Sequence, residues 1–339
     1  MFTLSLILIG TACFVATTPI ANDPFTIVSS DVSPSSRLIS VDKSVDKILS
    51  FWTDDKLKAA KSVMPIRKIN SQTTTKTEIP SNGPRVLVDG TMGSLQKAAI
   101  SAAVNPDKAS SRQVFTSTGR QTYTTGKIFW NNTGNSYGMC SGAIVTSNNK
   151  DTIVTAGHCC FDHDTNKFRT GQNFIFIPDY KSGAQPYGKW AARTMTAYTA
   201  WTVNQNFNYD VCFVNLYTNS KGQHIQDLLG AEGIASNYPR NAITYSFGYP
   251  YNLAQGEIMQ YCSGSAAASK YGNGYTGQTI PCDMTGGCSG GPWIQNFTAS
   301  TGIGYITSLN SFLITTIPNY MNGLYFESNI WSLYQKCMV

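Results

Sequence analysis

The sequence predicts an all-β protein, and three observations carry that prediction. From Thr122 onward, short β-prone runs alternate with Asn, Gly and Ser turns, and long helical periodicity is missing. Charged residues make up only 13% of the chain, while Gly, Ser, Thr, Asn and Tyr are plentiful. Such a composition suits an extracellular β-rich chain better than a cytosolic helical one. Every cysteine except Cys13 lies at or after Cys140. An even number of cysteines in an exported chain implies disulfides.

The elements follow in order. Residues 2–16 form an apolar run too short to span a bilayer comfortably, and they read as the core of a secretory signal peptide. We take 1–20 as signal. Residues 21–112 lack cysteine, carry Lys-rich and Ser/Thr-rich stretches, and read as a propeptide. Within them Val41, Val45, Ile48, Leu49 and Trp52 recur at helical spacing, which predicts an amphipathic helix over about 42–63. Residues 71–76, Ser-Gln-Thr-Thr-Thr-Lys, read as loop. Arg112 and Arg120 are candidate processing points, which put the mature start near Gln113 or Gln121. The remaining ~220 residues suit two small β-barrels, divided at about 113–228 and 229–339.

Runs such as Lys127-Ile128-Phe129-Trp130, Gly142-Ala143-Ile144-Val145, Thr152-Ile153-Val154-Thr155 and Phe174-Ile175-Phe176-Ile177 are the predicted strands of the first part. Ile243–Phe247 and Gly304–Ser308 continue the style in the second. Phe326–Lys336 is the helix candidate at the end. The net charge of +6 includes no dense basic run, so neither nucleic-acid nor membrane-surface binding has support, and no run after the signal is long and apolar enough to cross a membrane. Asn131-Asn132-Thr133 and Asn296-Phe297-Thr298 are sequons, which make Asn131 and Asn296 glycosylation candidates in a eukaryotic host.

The chemistry centres on Gly286-Gly287-Cys288-Ser289-Gly290-Gly291-Pro292-Trp293. Glycines around a serine are poor core packing, but they let a backbone bend sharply and present a hydroxyl beside free N–H groups. A serine nucleophile needs a general base, and the base needs an orienting carboxylate. Of the histidines, His158 lies in Thr155-Ala156-Gly157-His158-Cys159, whereas His163 and His224 read as surface residues. Asp210 enters the apolar run Val211-Cys212-Phe213-Val214, with Asp179 and Asp227 as fallback acids. The motif around Ser289 also fits the elbow of α/β-hydrolases, in which acid and histidine follow the serine. After Ser289 the chain contains neither Asp nor His, which removes that reading.

The three segments, in the order His, Asp, Ser, resemble the chymotrypsin-like serine endopeptidases. Within that group they are most similar to the secreted trypsin-like and glutamyl-endopeptidase-like enzymes of microbes. The resemblance spans roughly 113–339. It implies two antiparallel six-stranded Greek-key β-barrels with a C-terminal helix, and a secreted, monomeric endopeptidase made as a proenzyme and acting on proteins or peptides. It also implies Ser289 as nucleophile, His158 as base, Asp210 as orienting acid, and the N–H groups of Gly287 and Ser289 as the oxyanion hole. Cys140–Cys159 resembles the pair that staples the histidine loop, and Cys262–Cys282 is the second proposed bridge. Cys160, Cys212, Cys288 and Cys337 leave three pairings open. Neither a cofactor nor a metal is implied; His158, Cys159, Cys160 and His163 are zinc-binding residue types, but an oxidising compartment favours disulfides.

Two departures from the family pattern matter. Cys288 stands where animal trypsin-like enzymes carry an aspartate that pairs with the new amino terminus, so activation here should proceed by uncovering the cleft. For specificity, Asp283 has the spacing of the pocket aspartate of trypsin-like enzymes, where a buried carboxylate would favour Arg or Lys, but the flanking cysteine pattern differs and a structural acid is the alternative; Thr307, Ser308 and Asn310 resemble the pocket-lining strand. Thr307 replaces the histidine of glutamate-specific relatives. The competing reading is a catalytically silent homologue that acts as a secreted binding protein.

Overall fold

The computed structural model describes residues 23–31, 41–69, 83–95, 113–114, 123–132, 135–298 and 302–339. The signal region, residues 71–76 and both arginine processing points lie outside these residues.

The N-terminal part contributes β1 (Ile27–Asp31), α1 (Val41–Phe51), α2 (Asp54–Lys58), β2 (Lys61–Ser62), β3 (Ile66–Arg67), β4 (Val86–Val88) and β5 (Gln113–Val114). The predicted helix over 42–63 is thus two short ones and then extended chain. Thr53 ends the first and caps the second, its hydroxyl accepting from Lys56 N. Trp52 sits between the two helices, 2% exposed, with its indole N–H donating to the Asn173 carbonyl at 2.6 Å.

Six strands form a closed antiparallel barrel: β6 (Thr125–Asn131), β7 (Tyr137–Ile144), β8 (Thr152–Thr155), β11 (Ile175–Pro178), β12 (Trp190–Tyr198) and β13 (Cys212–Leu216). The order runs β6-β7-β8-β13-β12-β11 and returns to β6. A closed sheet leaves no edge within the ring, and the inward residues fill it. Ile128, Cys140, Ile144, Ile153, Val214 and Phe176 pack inside, all fully buried. Between these strands lie α3 (Gly157–Cys160), the hairpin of β9 (Phe161–Asp162) and β10 (Lys167–Phe168), and α4 (Thr199–Thr202).

After α5 (Ile225–Leu229) the chain builds two sheets. One contains β14 (Gly233–Ser236), β15 (Ile243–Gly248), β16 (Gln260–Ser265), β19 (Pro292–Thr298) and β20 (Ile303–Leu309). The other contains β17 (Ala267–Ala268), β18 (Gln278–Pro281), β21 (Phe312–Ile314) and β22 (Ile317–Gly323). The Cys262–Cys282 disulfide joins them across an apolar cluster that includes Met284, Trp293 and Met321. The C-terminal helix, α6 (Ser328–Cys337), lies back against β12, β13 and β14. Its Tyr334 donates to the Thr146 carbonyl at 2.6 Å.

The N-terminal part adds strands to both halves. β1 pairs with β12, β4 with β14 and β5 with β16, all antiparallel. β2 and β3 pair in parallel, with β7 and β21 respectively. Between them the chain passes directly over Ser289.

Candidate active site

Ser289 stands on the loop that leads into β19, and the loop's glycines hold its shape. Gly287 adopts φ +99°, and a Cβ there would come within 2.5 Å of the Tyr249 carbonyl. Gly290, at φ +77°, leaves no space against Ala156 N, which a Cβ would meet at 2.6 Å. Only glycine meets both conditions.

The barrel grips this loop through one residue, Ser141 on β7. Its N–H donates to the Ser289 carbonyl at 2.7 Å. Its hydroxyl donates to the Gly287 carbonyl at 2.9 Å and accepts from Tyr249 N at 2.9 Å. From behind, Asn310 donates to the Cys288 carbonyl at 3.1 Å and to the Phe247 carbonyl at 3.0 Å, and accepts from Ser246 and Trp293.

His158 opens α3, just after β8. The preceding Gly157 packs so closely on Trp201 that a Cβ would lie 2.6 Å from the indole. Asp210 precedes β13, which pairs with β8, so strand pairing brings acid and histidine together. One Asp210 oxygen accepts the His158 backbone N–H at 2.8 Å, and the other lies 2.9 Å from His158 Nδ1. That contact fixes Nδ1 as the protonated nitrogen of the neutral ring and leaves the Nε2 lone pair for the cleft. Nε2 is buried without a hydrogen-bond partner. Asp210 is fully buried, and Ser311 donates to its Oδ2 at 2.5 Å.

Disulfides lock the arrangement. Cys140–Cys159 ties β7 to the histidine turn, and Cys160–Cys212 ties that turn to the strand that follows Asp210. Cys262–Cys282 is joined as well. Cys288 and Cys337 remain buried thiols, and burial pushes both thiol pKa values up.

Ser289 does not bond to His158. Its hydroxyl donates to the Val63 carbonyl at 2.9 Å, and the serine is fully buried. The covering strap runs from β2 to β3. Lys61 and Ser62 pair with Gly138 and Met139, the Pro65 carbonyl accepts from Leu313 N at 3.1 Å, and the Arg67 carbonyl accepts from Thr315 N at 3.0 Å.

The other predicted residues are distributed as follows. Ser308 donates inward to the Leu324 carbonyl at 2.5 Å, and Thr307 is buried. Asp283 is half-buried, and its main-chain carbonyl accepts from Asn252 at 2.9 Å. His163 is half-buried against Phe161 and Trp201, and His224, with 43% of its side chain exposed, sits 2.5 Å from Asp151. Asp227 pairs with Lys150 on the surface, away from His158. Asn296 is exposed, whereas Asn131 accepts from Asn173 at 3.0 Å and is half-buried. Ser141, Ser311 and the strap carry no local mark in the sequence.

Comparison with known proteins agrees with the fold and defines the class. Residues 140–300 match the Trypsin-like peptidase domain family. The protease Anisep of Arthrobacter nicotinovorans is 38% identical, with a TM-score of 0.60, over 67% of this chain and 99% of its own. The thermostable serine protease AL20, from an extremophilic microorganism, is 34% identical with a TM-score of 0.58, over 65% of this chain and 98% of its own. A Glu endopeptidase, 14% identical with a TM-score of 0.52 over 69% of this chain and 98% of its own, shares the fold. The chain belongs to the trypsin-like serine peptidase family.

A curated relative, an extracellular metalloprotease of Bacillus subtilis (strain 168), is 27% identical over 183 residues, which are 53% of this chain and 54% of its own. The chain therefore spans about half the length of that relative. The residues here do not suit a metal. Among the described residues, the group of possible ligands is Cys140, His158 and Cys159. Both sulfurs are bonded to each other, and His158 Nδ1 is engaged by Asp210.

Proposed function

We propose that this protein is a secreted serine endopeptidase, made as a proenzyme, that cleaves peptide bonds through Ser289, His158 and Asp210. The observation that carries the reading is the doubly held Asp210 carboxylate on His158 Nδ1, with His158 Nε2 buried and unpaired beside the Ser289 loop. The two C-terminal sheets are read as the counterpart of a second barrel. Disulfides, and the extracellular protease among the relatives, support secretion.

In the reaction His158 Nε2 takes the Ser289 proton as Oγ attacks the substrate carbonyl carbon. The oxyanion that forms is held by the N–H groups of Gly287 and Ser289. One such donor is worth about 10²–10³ in turnover. His158 then protonates the leaving amine, and water releases the acyl group by the same route. Asp210 keeps the imidazole oriented and stabilises its cation.

Residues 21–112, which carry the strap, are read as the propeptide. It holds the Ser289 hydrogen on the Val63 carbonyl oxygen, away from His158, and covers the serine. Cys288 provides no carboxylate for an activating amino terminus, so removal of the strap is the activating event. The test is fluorophosphonate labelling and peptide cleavage by the full chain, before and after limited proteolysis of its N-terminal third. Labelling of Ser289 and cleavage should appear after proteolysis and vanish in Ser289→Ala. A protein that labels and cuts in neither state is a binding homologue instead.

A further inference from the structure

The strap carries information about substrate choice. Next to Val63, the residue on Ser289, comes Met64. It is half-buried and packs against the buried apolar cluster that includes Cys282, Met284, Cys288 and Met321, as Leu313 also does. The backbone fixes it there from both sides. The Met64 Cβ lies 3.7 Å from where a Cβ on Gly286 would be, on the Ser289 loop. On the other side, the Pro65 carbonyl accepts from Leu313 N on β21. Met64 therefore occupies the recess flanked by the nucleophile loop and the β21 edge, beside a carbonyl already seated on Ser289.

The cluster against which Met64 packs is built of sulfur and hydrocarbon side chains, among them Cys282, Met284, Cys288 and Met321. Asp283, read from the sequence either as the pocket acid for Arg or Lys or as a structural acid, lies between the buried Cys282 and Met284 and is half-buried, with its Oδ1 buried. A glutamate entering here would lose its hydration without gaining a partner from the cluster.

Resting on the peptidase reading above, we infer that the primary substrate pocket accepts an apolar side chain of Met or Leu size, and that Met64 is its built-in occupant. The strap imitates a substrate side chain but not a substrate backbone. It runs parallel to β21, and the Ser289 hydrogen meets the Val63 carbonyl oxygen, so the bond beside the filled pocket is held without being cut.

The experiment uses the full chain as wild type, Met64→Leu, Met64→Asp and Met64→Arg, with Ser289→Ala as control. Labelling of Ser289 by a fluorophosphonate and cut sites in a diverse peptide mixture are read together. A charged residue at 64 cannot stay in the apolar recess, so both charged variants should label about tenfold faster than wild type or more. Met64→Leu should stay near the wild-type rate, which excludes a general loss of folding as the cause. The charged variants should cut after Met and Leu about tenfold or more in preference to Arg, Lys and Glu. Cuts that cluster after Arg and Lys, or after Glu, overturn the apolar pocket and leave the peptidase reading standing. Equal labelling of wild type and the charged variants overturns the role of Met64. A serine that labels in no variant, even after the N-terminal third is removed by proteolysis, overturns the peptidase reading and this inference with it.

Discussion

Ser311 donates its hydroxyl to Asp210 Oδ2 at 2.5 Å, the same oxygen that lies 2.9 Å from His158 Nδ1. The carboxylate is fully buried, and this bond holds it from the side of the second half while the His158 backbone N–H holds it from the barrel. A hydrogen bond to a charged group contributes roughly 1.5–3 kcal/mol. Ser311→Ala should therefore lower kcat of the activated protein about tenfold, with little change in KM, because the imidazolium is supported less while substrate contacts remain. Steady-state peptide hydrolysis decides the matter: an effect confined to KM would show that Ser311 serves binding and not the histidine.

Gly287 makes the second prediction. Its φ of +99° and the nearby Tyr249 carbonyl exclude a side chain. Gly287→Ala must twist the loop and move the N–H proposed to receive the oxyanion. A strained backbone of this kind costs about 1–3 kcal/mol. Activity should fall about 10²-fold or more, as for loss of an oxyanion donor, while the melting temperature drops by only a few degrees. Activity that falls only in proportion to the folded fraction would remove Gly287 from the catalytic machinery.

The reach of sequence reasoning follows from where each constraint lives. Ser289 and His158 were legible because their motifs are local: glycines that a tight loop requires, and a glycine flattened against Trp201. Strands of the barrel were legible through period and turn residues. Ser311 and Ser141 were not, because a serine within or beside a strand has no local mark, and their contacts exist only after β7, β13 and β21 are brought together. The helix predicted over 42–63 failed at Thr53, whose capping oxygen restarts the helix, and again at Lys61, where pairing to the β7 edge imposes extended chain. Tertiary partners override local propensity there. The cysteine pairing could not be settled by count, since proximity of Cys160 to Cys212 depends on the β8–β13 ladder.

Those cysteines support a third prediction. Cys288 and Cys337 are buried thiols in an otherwise disulfide-bonded domain, and burial keeps both protonated, Cys337 with its pKa pushed up to about 12. The thiolate is the reactive form. Alkylation of the native protein followed by peptide mapping should leave both unmodified, and unfolding in denaturant should expose both. Replacing Cys160 and Cys212 together by alanine should cost about 2–4 kcal/mol. It should also lower activity beyond the loss of folded protein, because that bridge joins the two segments that carry His158 and Asp210. Rapid native labelling of Cys288 would mean that the loop behind Ser289 opens in solution.

Asp179 gives the pH dependence. It follows β11 in the left-handed region at φ +50°, and burial raises its carboxyl pKa from an ordinary 3.8 to about 6, with Lys181 opposing the shift. Between about pH 4 and 6 the native chain holds a proton that the unfolded chain has already released. The native state binds more protons in that window, so this group's contribution to stability falls as pH rises through it. Above pH 6 the ionised, half-buried carboxylate continues to cost stability. The shift corresponds to at most about 3 kcal/mol, reduced by solvent screening to about 1–2 kcal/mol. Asparagine tolerates the left-handed backbone and carries no charge. Asp179→Asn should thus match the wild-type melting temperature near pH 4 and exceed it by several degrees at pH 8. Melting curves at both pH values measure the difference; a variant that is destabilised equally at pH 4 and pH 8 would show that the carboxylate is held by a favourable contact and not penalised by burial.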